Sequence, residues 1–248
     1  MFGIIGGSGL VKLAALDTPR RQVMRTPYGE PSGALTFGRL AGRDIVFVAR
    51  HGYGHTIAPH EINYRANIWA LQQLSVEGIF ALATVGGIRA DLAPGSLVVP
   101  HQVLDYTHSR ASTFFESGVN AVVTHIDFTQ PYAERLRQRL LAAAARAGET
   151  VVDGAVYACT QGPRLETAAE VNRLEGDGAD IIGMTGMPEA TLAREAGLDY
   201  ASLSMVVNHA AGRGDSRSRV ELSQLDKILQ QTVVRAVRVL EAAVQGSA

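Results

Sequence analysis

Residues that can bind an anion follow two of the short apolar runs in this sequence. Gly6-Gly7-Ser8-Gly9 comes directly after the first run, and Arg50-His51-Gly52 comes directly after a later one. Glycines at the end of a strand let backbone amides approach an anion closely, and Ser8 adds a hydroxyl donor. An arginine beside a histidine and a glycine can hold an oxyanion. Both segments therefore indicate an anion site, although the glycine spacing fits neither the dinucleotide-binding pattern nor the P-loop.

Other interpretations of these two segments stay open. His51, His55 and His60 lie close together in the sequence, which would suit zinc. No helix supports their spacing and Pro59 interrupts it, so the zinc interpretation is the weaker one. The glycine segment could instead be a tight turn, and the residues after Arg50 an ordinary polar loop.

Three further segments leave an apolar run with a polar side chain that could contact a ligand. Glu166 is expected in or near the first turn of a helix, where the helix dipole favours a carboxylate. Thr185 could bind an anion or cap a helix, and Asn208 at the end of a strand is most often a turn former. Because open α/β sheets place their ligand crevice at the carboxyl ends of strands, the five segments together predict one site.

The elements that must position these residues alternate between short apolar runs and helical patterns. Strands are predicted at 3–6, 44–49, 78–85, 96–99, 151–159, 180–183 and 200–208. Helices are predicted at 61–74, at 132–147, from Pro188 to Gly197, and from a capping box at Ser223 and Asp226 to Gly246. Several runs lack polar alternation, as strands covered on both faces do. The pattern predicts an α/β fold around a largely parallel or mixed sheet, in a single domain over residues 1–248.

Composition and charge exclude several classes of protein. Hydrophobic residues make up 46% of the 248 residues and charged residues 19%, which argues against disorder. The net charge of −1 gives no indication of a nucleic-acid or membrane partner. The single cysteine, Cys159, cannot form an intramolecular disulfide, and the first residues lack the pattern of a secretory signal. No run approaches the roughly 20 apolar residues that span a bilayer. We expect a cytoplasmic protein.

The sequence as a whole resembles the trimeric purine nucleoside phosphorylases, in their methylthioadenosine phosphorylase branch. The matching segments are IIGGSGL (4–10), TPYGEPSG (26–33), RHGYGHTIAPHEINYRANIWAL (50–71), GGIR (86–89), ACTQGPRLETAAE (158–170) and GMTGMPEA (183–190). The resemblance implies an α/β/α sandwich around a mixed sheet and a homotrimer, possibly paired into hexamers. It also implies that phosphate replaces the purine at C1′ of a nucleoside, with no metal or organic cofactor.

The resemblance assigns roles to individual positions. Thr84 lies in a loop that also touches phosphate in the family, but the family's usual hydroxyl residue falls at Ala83, which is a departure. Met184 matches the residue that packs on the ribose, and His125 matches a histidine that reaches the neighbouring subunit's 5′ pocket. The matches to the family's phosphate-binding residues are Ser8, Arg50, His51 and Thr185.

The base pocket departs from the methylthioadenosine branch. Methylthioadenosine phosphorylases carry Ser at the position of Glu166 and Asp-x-Asp at the positions of Asn208-His209-Ala210. The Asn208 amide can donate to O6 and accept from a protonated N7, while Glu166 can accept from N1–H. That set suits hypoxanthine or guanine, as in the 6-oxopurine phosphorylases, and makes adenine the poor substrate. In this prediction Asn208 and Glu166 are the catalytic residues, and His209 and Ala210 line the substrate site.

The residues expected at the 5′ position of the nucleoside are apolar. They are Val220, Leu222 and Leu225. Apolar side chains suit a methylthio group better than a hydroxyl, which would lose its hydrogen bond. The expected substrate is therefore 5′-methylthioinosine. Alternatives are a general inosine and guanosine phosphorylase, a methylthioadenosine phosphorylase, a nucleosidase that uses water, and a nucleotide-binding module without activity. A nicotinamide dehydrogenase is the weakest alternative, because the glycine spacing is wrong.

Overall fold

The computed structural model describes residues 1–10, 13, 15–116 and 122–246, which contain eleven strands, five α-helices and a short 3-10 helix at Gly214–Ser216. For Leu222 and Gln224 only the backbone is described. The strands are β1 (Phe2–Gly6), β2 (Asp17–Gln22), β3 (Leu35–Leu40), β4 (Arg43–Ala49), β5 (Ile79–Gly87), β6 (Leu97–Val99), β7 (Gln102–Tyr106), β8 (Val151–Asp153), β9 (Val156–Thr160), β10 (Ile181–Gly183) and β11 (Tyr200–His209). The helices are α1 (Tyr64–Gln73), α2 (Glu134–Arg146), α3 (Ala168–Gly176), α4 (Glu189–Glu195) and α5 (Leu222–Gln245).

The sheet is mixed, as predicted, and β5 is its central strand. The main path runs β2-β3-β4-β1-β5-β10-β9-β7, while β11 pairs with β5 and β6, and β6 with β8. Strand β5 is parallel to β1 and β11 but antiparallel to β10. The long strands β5 and β11 stay in register from Tyr200 opposite Ile79 to Val206 opposite Val85, where an irregularity precedes Asn208.

Alternate residues of the central strands face two different helical layers. Ile4, Phe47 and Phe80 pack with α2 and α5 on one face of the sheet. Ile5 and Val48 pack with α1 and α4 on the other. Successive side chains of these strands point to opposite faces of the sheet, and both faces are buried. The strands therefore show no alternation of apolar and polar residues. The α/β/α arrangement predicted above is confirmed.

Most predicted strands exist, but one prediction is wrong. Residues 151–159 form two strands rather than one, because Gly154 turns the chain between β8 and β9 with φ +86°. Strands β2, β3 and β7 were not predicted. All six residues of β2 are exposed, so that strand carries no apolar pattern.

The N-terminus of helix α5 differs from the prediction. Helix α5 has Glu221 as its N-cap, without a side-chain cap hydrogen bond, so the capping box predicted at Ser223 and Asp226 is wrong. Its end at Gly246, with φ +80°, is confirmed. Helix α3 begins with a capping box of Thr167 and Glu170. Of the helices in the described ranges, none combines the length and hydropathy that a bilayer crossing needs.

Candidate active site

A cavity of about 470 Å³ opens where β1, β4, β10 and β11 end, beside the second half of β5. Its wall contains most of the residues singled out from the sequence, namely Ser8, Arg50, His51, Thr84, Glu166, Met184, Thr185, Asn208, Ala210, Val220 and Leu225. Strand β10 runs antiparallel to β5, with Ile181 opposite Gly87 and Ile182 opposite Gly86, so the chain leaves β10 beside residues that precede the end of β5. The five segments therefore converge, although not all on one edge of parallel strands.

Three predicted site residues need separate mention. His209 does not line the cavity, because its ring packs against the turn at Gly214 and its Nδ1 lies 3.8 Å from the carboxylate of Asp215. His125 is exposed and away from the cavity. The side chain of Leu222 lies outside the described residues.

Arg50 is fixed at the bottom of the cavity by a carboxylate that sequence reasoning missed. Its Nε and Nη2 each donate to Glu189 at 2.7 Å, and its Nη1 donates to the carbonyl of Leu82 at 2.8 Å. Both side chains are almost completely buried, and the hydroxyl of Tyr200 also donates to Glu189 at 2.8 Å. Burial alone disfavours the charged guanidinium, but Glu189 outweighs it and raises the pKa of Arg50. Two of the five guanidinium N–H groups remain for a ligand.

Gly7 allows this close approach of arginine and backbone. A Cβ at that position would lie 2.8 Å from Arg50 Nη1 and 2.9 Å from the carbonyl oxygen of Leu82. A side chain there would displace the guanidinium, which is a physical reason for the glycine in the Gly6–Gly9 segment.

His51 is held in one tautomer. Its Nδ1 lies 2.8 Å from the carbonyl oxygen of Ile57, so Nδ1 carries the proton and donates it. Burial, opposed by that bond and aided by the charge of Arg50, lowers the pKa of His51 to about 4. The ring is neutral at pH 7, and Nε2 is left as an acceptor.

Two hydroxyls complete what we call the Arg50 group, which consists of Ser8, Arg50, His51 and Thr185. Ser8 Oγ lies 2.9 Å from Nε2 of His55, a residue that also lines the cavity. Thr185 is buried and lies two residues after the end of β10. The group offers hydroxyl and guanidinium donors and one imidazole acceptor, a set that suits a protonated oxyanion such as hydrogen phosphate.

Glu166 and Asn208 form a second polar pair in the same wall. The hydroxyl of Thr160 donates to Glu166 Oε1 at 2.6 Å, which leaves Oε2 for a ligand. Asn208 Nδ2 donates to the carbonyl of His209 at 2.6 Å, which leaves its second N–H and its Oδ1. The irregularity in β11 just before Asn208 re-aims this side chain, as bulges beside functional sites often do.

Apolar side chains line the rest of the cavity. Val220 and Leu225 come from the segment that leads into α5 and from its first turns, and Met184 follows β10. Ile57 and Leu165 also line it and were not singled out from the sequence. Both are close in sequence to predicted residues, but neither carries a polar group to mark it. Among the described residues, no group of three or more His, Cys, Asp or Glu side chains is arranged to hold a metal ion.

Comparisons with known proteins agree on one family. The family model described as "Phosphorylase superfamily" matches residues 1–245. A probable S-methyl-5′-thioinosine phosphorylase of Pseudomonas syringae is 52% identical over 93% of this chain and 92% of that protein. The 6-oxopurine nucleoside phosphorylase of Pyrococcus furiosus is 40% identical over 98% of this chain and 91% of that one.

A solved structure supports the same fold. A methylthioadenosine phosphorylase from an antarctic soil metagenomic library superposes with a TM-score of 0.91 at 38% identity, covering 98% of this chain and 85% of that one. The predicted nucleoside phosphorylase-like fold is confirmed.

Proposed function

The chain belongs to the phosphorylase superfamily, and from this premise we propose that it catalyses the reversible phosphorolysis of S-methyl-5′-thioinosine. The products are hypoxanthine and 5-methylthioribose 1-phosphate, so the enzyme is a pentosyltransferase of purine salvage. The observation that carries the proposal is the placement of Glu166 and Asn208 in the same cavity as the Arg50 group.

The choice of base rests on which hydrogen-bonding atoms the cavity leaves free. Glu166 Oε2 can accept from N1–H of a 6-oxopurine, and Asn208 can donate to O6 and accept from N7–H. An adenine would present an N–H₂ donor to the Asn208 donor and a bare N1 to the Glu166 carboxylate. Each buried group left unsatisfied costs about 1–3 kcal/mol, which supports a 6-oxopurine as the substrate.

The choice of the 5′ group rests on Val220 and Leu225. Both line the cavity and neither can hydrogen-bond a hydroxyl. A methylthio group loses nothing there, whereas a 5′-hydroxyl would be buried without a partner. A general 6-oxopurine nucleoside phosphorylase is the second candidate, and the Pyrococcus relative favours it. The two candidate functions are distinguished by the turnover of inosine relative to methylthioinosine, which is low for a methylthioinosine phosphorylase and comparable for a general 6-oxopurine nucleoside phosphorylase.

In the proposed mechanism the Arg50 group binds phosphate beneath C1′. Ser8, Thr185 and the two free N–H groups of Arg50 donate to phosphate oxygens, Thr84 lies beside them, and His51 Nε2 accepts the phosphate O–H. A phosphate oxygen attacks C1′ as the C1′–N9 bond breaks, and the bonding electrons go to the purine. Met184 packs on the ribose during this step.

The leaving purine gains negative charge as that bond lengthens and takes up a proton at N7 from solvent. The O–H proton of hydrogen phosphate is released to solvent, so the products are neutral hypoxanthine and the sugar phosphate. Asn208 stabilises the charge at N7 and O6, and Glu166 anchors the far edge of the ring. Catalysis in this scheme consists of positioning and electrostatic stabilisation, and it requires no metal or organic cofactor.

The first test is dependence on phosphate. Methylthioinosine is incubated with enzyme in phosphate-free buffer and in buffer with inorganic phosphate, and release of hypoxanthine is followed. We expect the enzyme to release hypoxanthine only in the buffer that contains inorganic phosphate. Equal turnover without phosphate would contradict a phosphorylase and support a nucleosidase.

We further propose that residues 1–248 form one domain, that the working unit is a homotrimer or a pair of trimers, and that the location is cytoplasmic. Exposed Val122 and Val123, close to His125, support a subunit contact. A single cysteine, which is buried and free, supports a reducing compartment. Neither nucleic acid nor a membrane is part of the proposal.

A further inference from the structure

Arg110 lies in the loop after β7, outside the sequence segments that resemble the family, and its half-buried guanidinium makes six hydrogen bonds. Its Nη1 donates to the carbonyls of Met184 and Met187 at 2.9 and 2.5 Å and to the hydroxyl of Tyr64 at 3.3 Å. Its Nη2 donates to the carbonyls of Thr160 and Gln161 at 3.2 and 2.8 Å, and its Nε donates to Gln161 Oε1 at 3.1 Å.

All of these acceptors except the hydroxyl of Tyr64, which lies on α1, belong to the two segments that carry Glu166 and Met184. Thr160 and Gln161 lead from β9 to Glu166, and Met184 to Met187 lead from β10 into α4. The segments also touch directly, because a Cβ on Gly162 would lie 2.4 Å from Sδ of Met184. Arg110 therefore joins two backbones whose relative position decides where Glu166 lies with respect to Met184.

The chemistry of this contact requires a guanidinium. Within the described residues no carboxylate lies within 4.0 Å of the Arg110 nitrogens, and the oxygens around the charge are those of carbonyls, one side-chain amide and one hydroxyl. The planar fork reaches both segments at once through its two terminal nitrogens. A lysine ammonium is a single point and cannot reproduce two diverging sets of donors.

We propose that Arg110 is a positioning residue that sets the spacing between the Glu166 segment and the Met184 segment and thereby determines nucleoside binding and base selectivity. The inference rests on the proposed function and deepens it. Of the Arg50 group, Ser8, Arg50 and His51 lie on segments that Arg110 does not contact, whereas Thr185 lies between the Met184 and Met187 carbonyls that it binds. Loss of Arg110 should therefore affect the nucleoside more than phosphate.

The test compares Arg110→Lys and Arg110→Ala with Arg137→Ala. Arg137 is the control arginine: it is buried, donates to the carbonyl of Pro100 and pairs with Glu134 and Asp153, and none of these partners lines the cavity. For each variant we measure KM for methylthioinosine, KM for phosphate, kcat, and the ratio of methylthioinosine to methylthioadenosine turnover. Denaturation curves identify variants that do not fold, and Arg110→Lys keeps the test usable if Arg110→Ala fails to fold.

We expect kcat/KM for methylthioinosine to fall about ten- to a hundredfold in both Arg110 variants, as small misplacements of binding groups do, with a smaller rise in KM for phosphate. The base selectivity should fall as well. Added millimolar guanidinium should raise the activity of Arg110→Ala but not that of Arg137→Ala. We expect Arg137→Ala to lose stability and keep its kinetic constants.

Two results would overturn the inference. One is a folded Arg110→Lys with wild-type selectivity and wild-type KM for the nucleoside. The other is a fall in kcat of the Arg110 variants that follows their loss of stability. In that case the fall would be equal for methylthioinosine and methylthioadenosine, and added guanidinium would not restore activity. Both results presuppose a wild-type enzyme with phosphate-dependent turnover, so they count against the role of Arg110 and not against the proposed function. A wild-type enzyme without phosphate-dependent turnover would instead contradict the proposed function.

Discussion

The carboxylate of Glu189 receives two hydrogen bonds of 2.7 Å from the guanidinium of Arg50, although the two residues are 139 positions apart in the sequence. Both side chains are excluded from solvent, with 1% and 0% exposure. The arginine expected to bind phosphate is thus already paired, and its position depends on the carboxylate. A buried ion pair of this kind is costly to break from one side, because the remaining charge stays buried without a partner.

Glu189→Gln should therefore lower the free energy of unfolding by about 3–5 kcal/mol. It should also raise KM for phosphate, because Arg50 loses the partner that orients it. Urea denaturation and phosphate titrations measure the two effects. Asp199→Asn is a matched control, since its pair with Arg135 is exposed, and such pairs contribute about 0–1 kcal/mol. Equal stability losses in the two variants would contradict the role of Glu189.

Thr185→Val removes one hydroxyl from the Arg50 group with little change in volume. We expect KM for phosphate to rise by about tenfold, the effect of one lost hydrogen bond to a charged group, while KM for the nucleoside stays nearly constant. Thr232→Val is the control, because Thr232 is buried and its hydroxyl bonds within α5, to the carbonyl of Ile228. A larger change for the nucleoside than for phosphate would remove Thr185 from the phosphate site.

Stability should depend on pH through His51. Burial lowers the pKa of His51 to about 4 in the folded chain, against an ordinary value of 6.5. Between those values the unfolded chain binds a proton that the folded chain does not, so stability falls as the pH drops from about 6.5 towards 4, by at most about 1.4 kcal/mol per pH unit.

His51→Asn retains a donor for the carbonyl of Ile57 and removes the titrating group. The stability difference between wild type and variant should shrink as the pH falls through this window, because all other groups titrate alike in both. A difference that stays constant from pH 7 to pH 4 would show that the ring is not held neutral.

His125→Ala tests the proposed subunit contact. If His125 serves the neighbouring subunit's 5′ pocket, the variant should fold normally and bind the nucleoside more weakly. His101→Ala, which removes another exposed histidine outside the cavity, should have no such effect. Sedimentation should show at least trimers at assay concentration. A fully active monomer would contradict the proposal.

The parts of the fold that the sequence predicts are those with a local signal. Strands β1, β4 and β5 are largely continuous apolar runs, because helices cover both of their faces, and in β11 only Ser202 and Ser204 interrupt such a run before Asn208. Strand β2 is fully exposed and pairs through its backbone, so no side-chain pattern reveals it. The break between β8 and β9 depends on a single glycine inside an apolar run.

The residues of the site likewise fall into those that the sequence reveals and those that it does not. Ser8, Arg50, Glu166, Thr185 and Asn208 follow apolar runs closely, and the sheet brings them together. Glu189 and Arg110 could not be assigned a role from the sequence, because Arg50 lies 139 positions from Glu189 and the partners of Arg110 lie 46–77 positions away in the chain. A carboxylate in the first turn of a helix, as Glu189 is in α4, gives no sign that it will be buried against an arginine.

Asn208→Asp tests how the base is selected. The change places an acceptor opposite O6, so kcat/KM for methylthioinosine should fall by about two orders of magnitude or more, as with other lost transition-state hydrogen bonds. The relative rate on methylthioadenosine should rise, and the addition of Glu166→Ser should move the preference further. Both side chains face one ring, so the two effects should be non-additive.

The most direct measurement is the ratio of kcat/KM for methylthioinosine to kcat/KM for methylthioadenosine, on the unmutated enzyme with saturating phosphate. The free donor and acceptor atoms of Glu166 and Asn208 predict a preference for methylthioinosine of about tenfold to a hundredfold or more. Equal values for the two substrates would contradict the assignment of a 6-oxopurine base to this cavity.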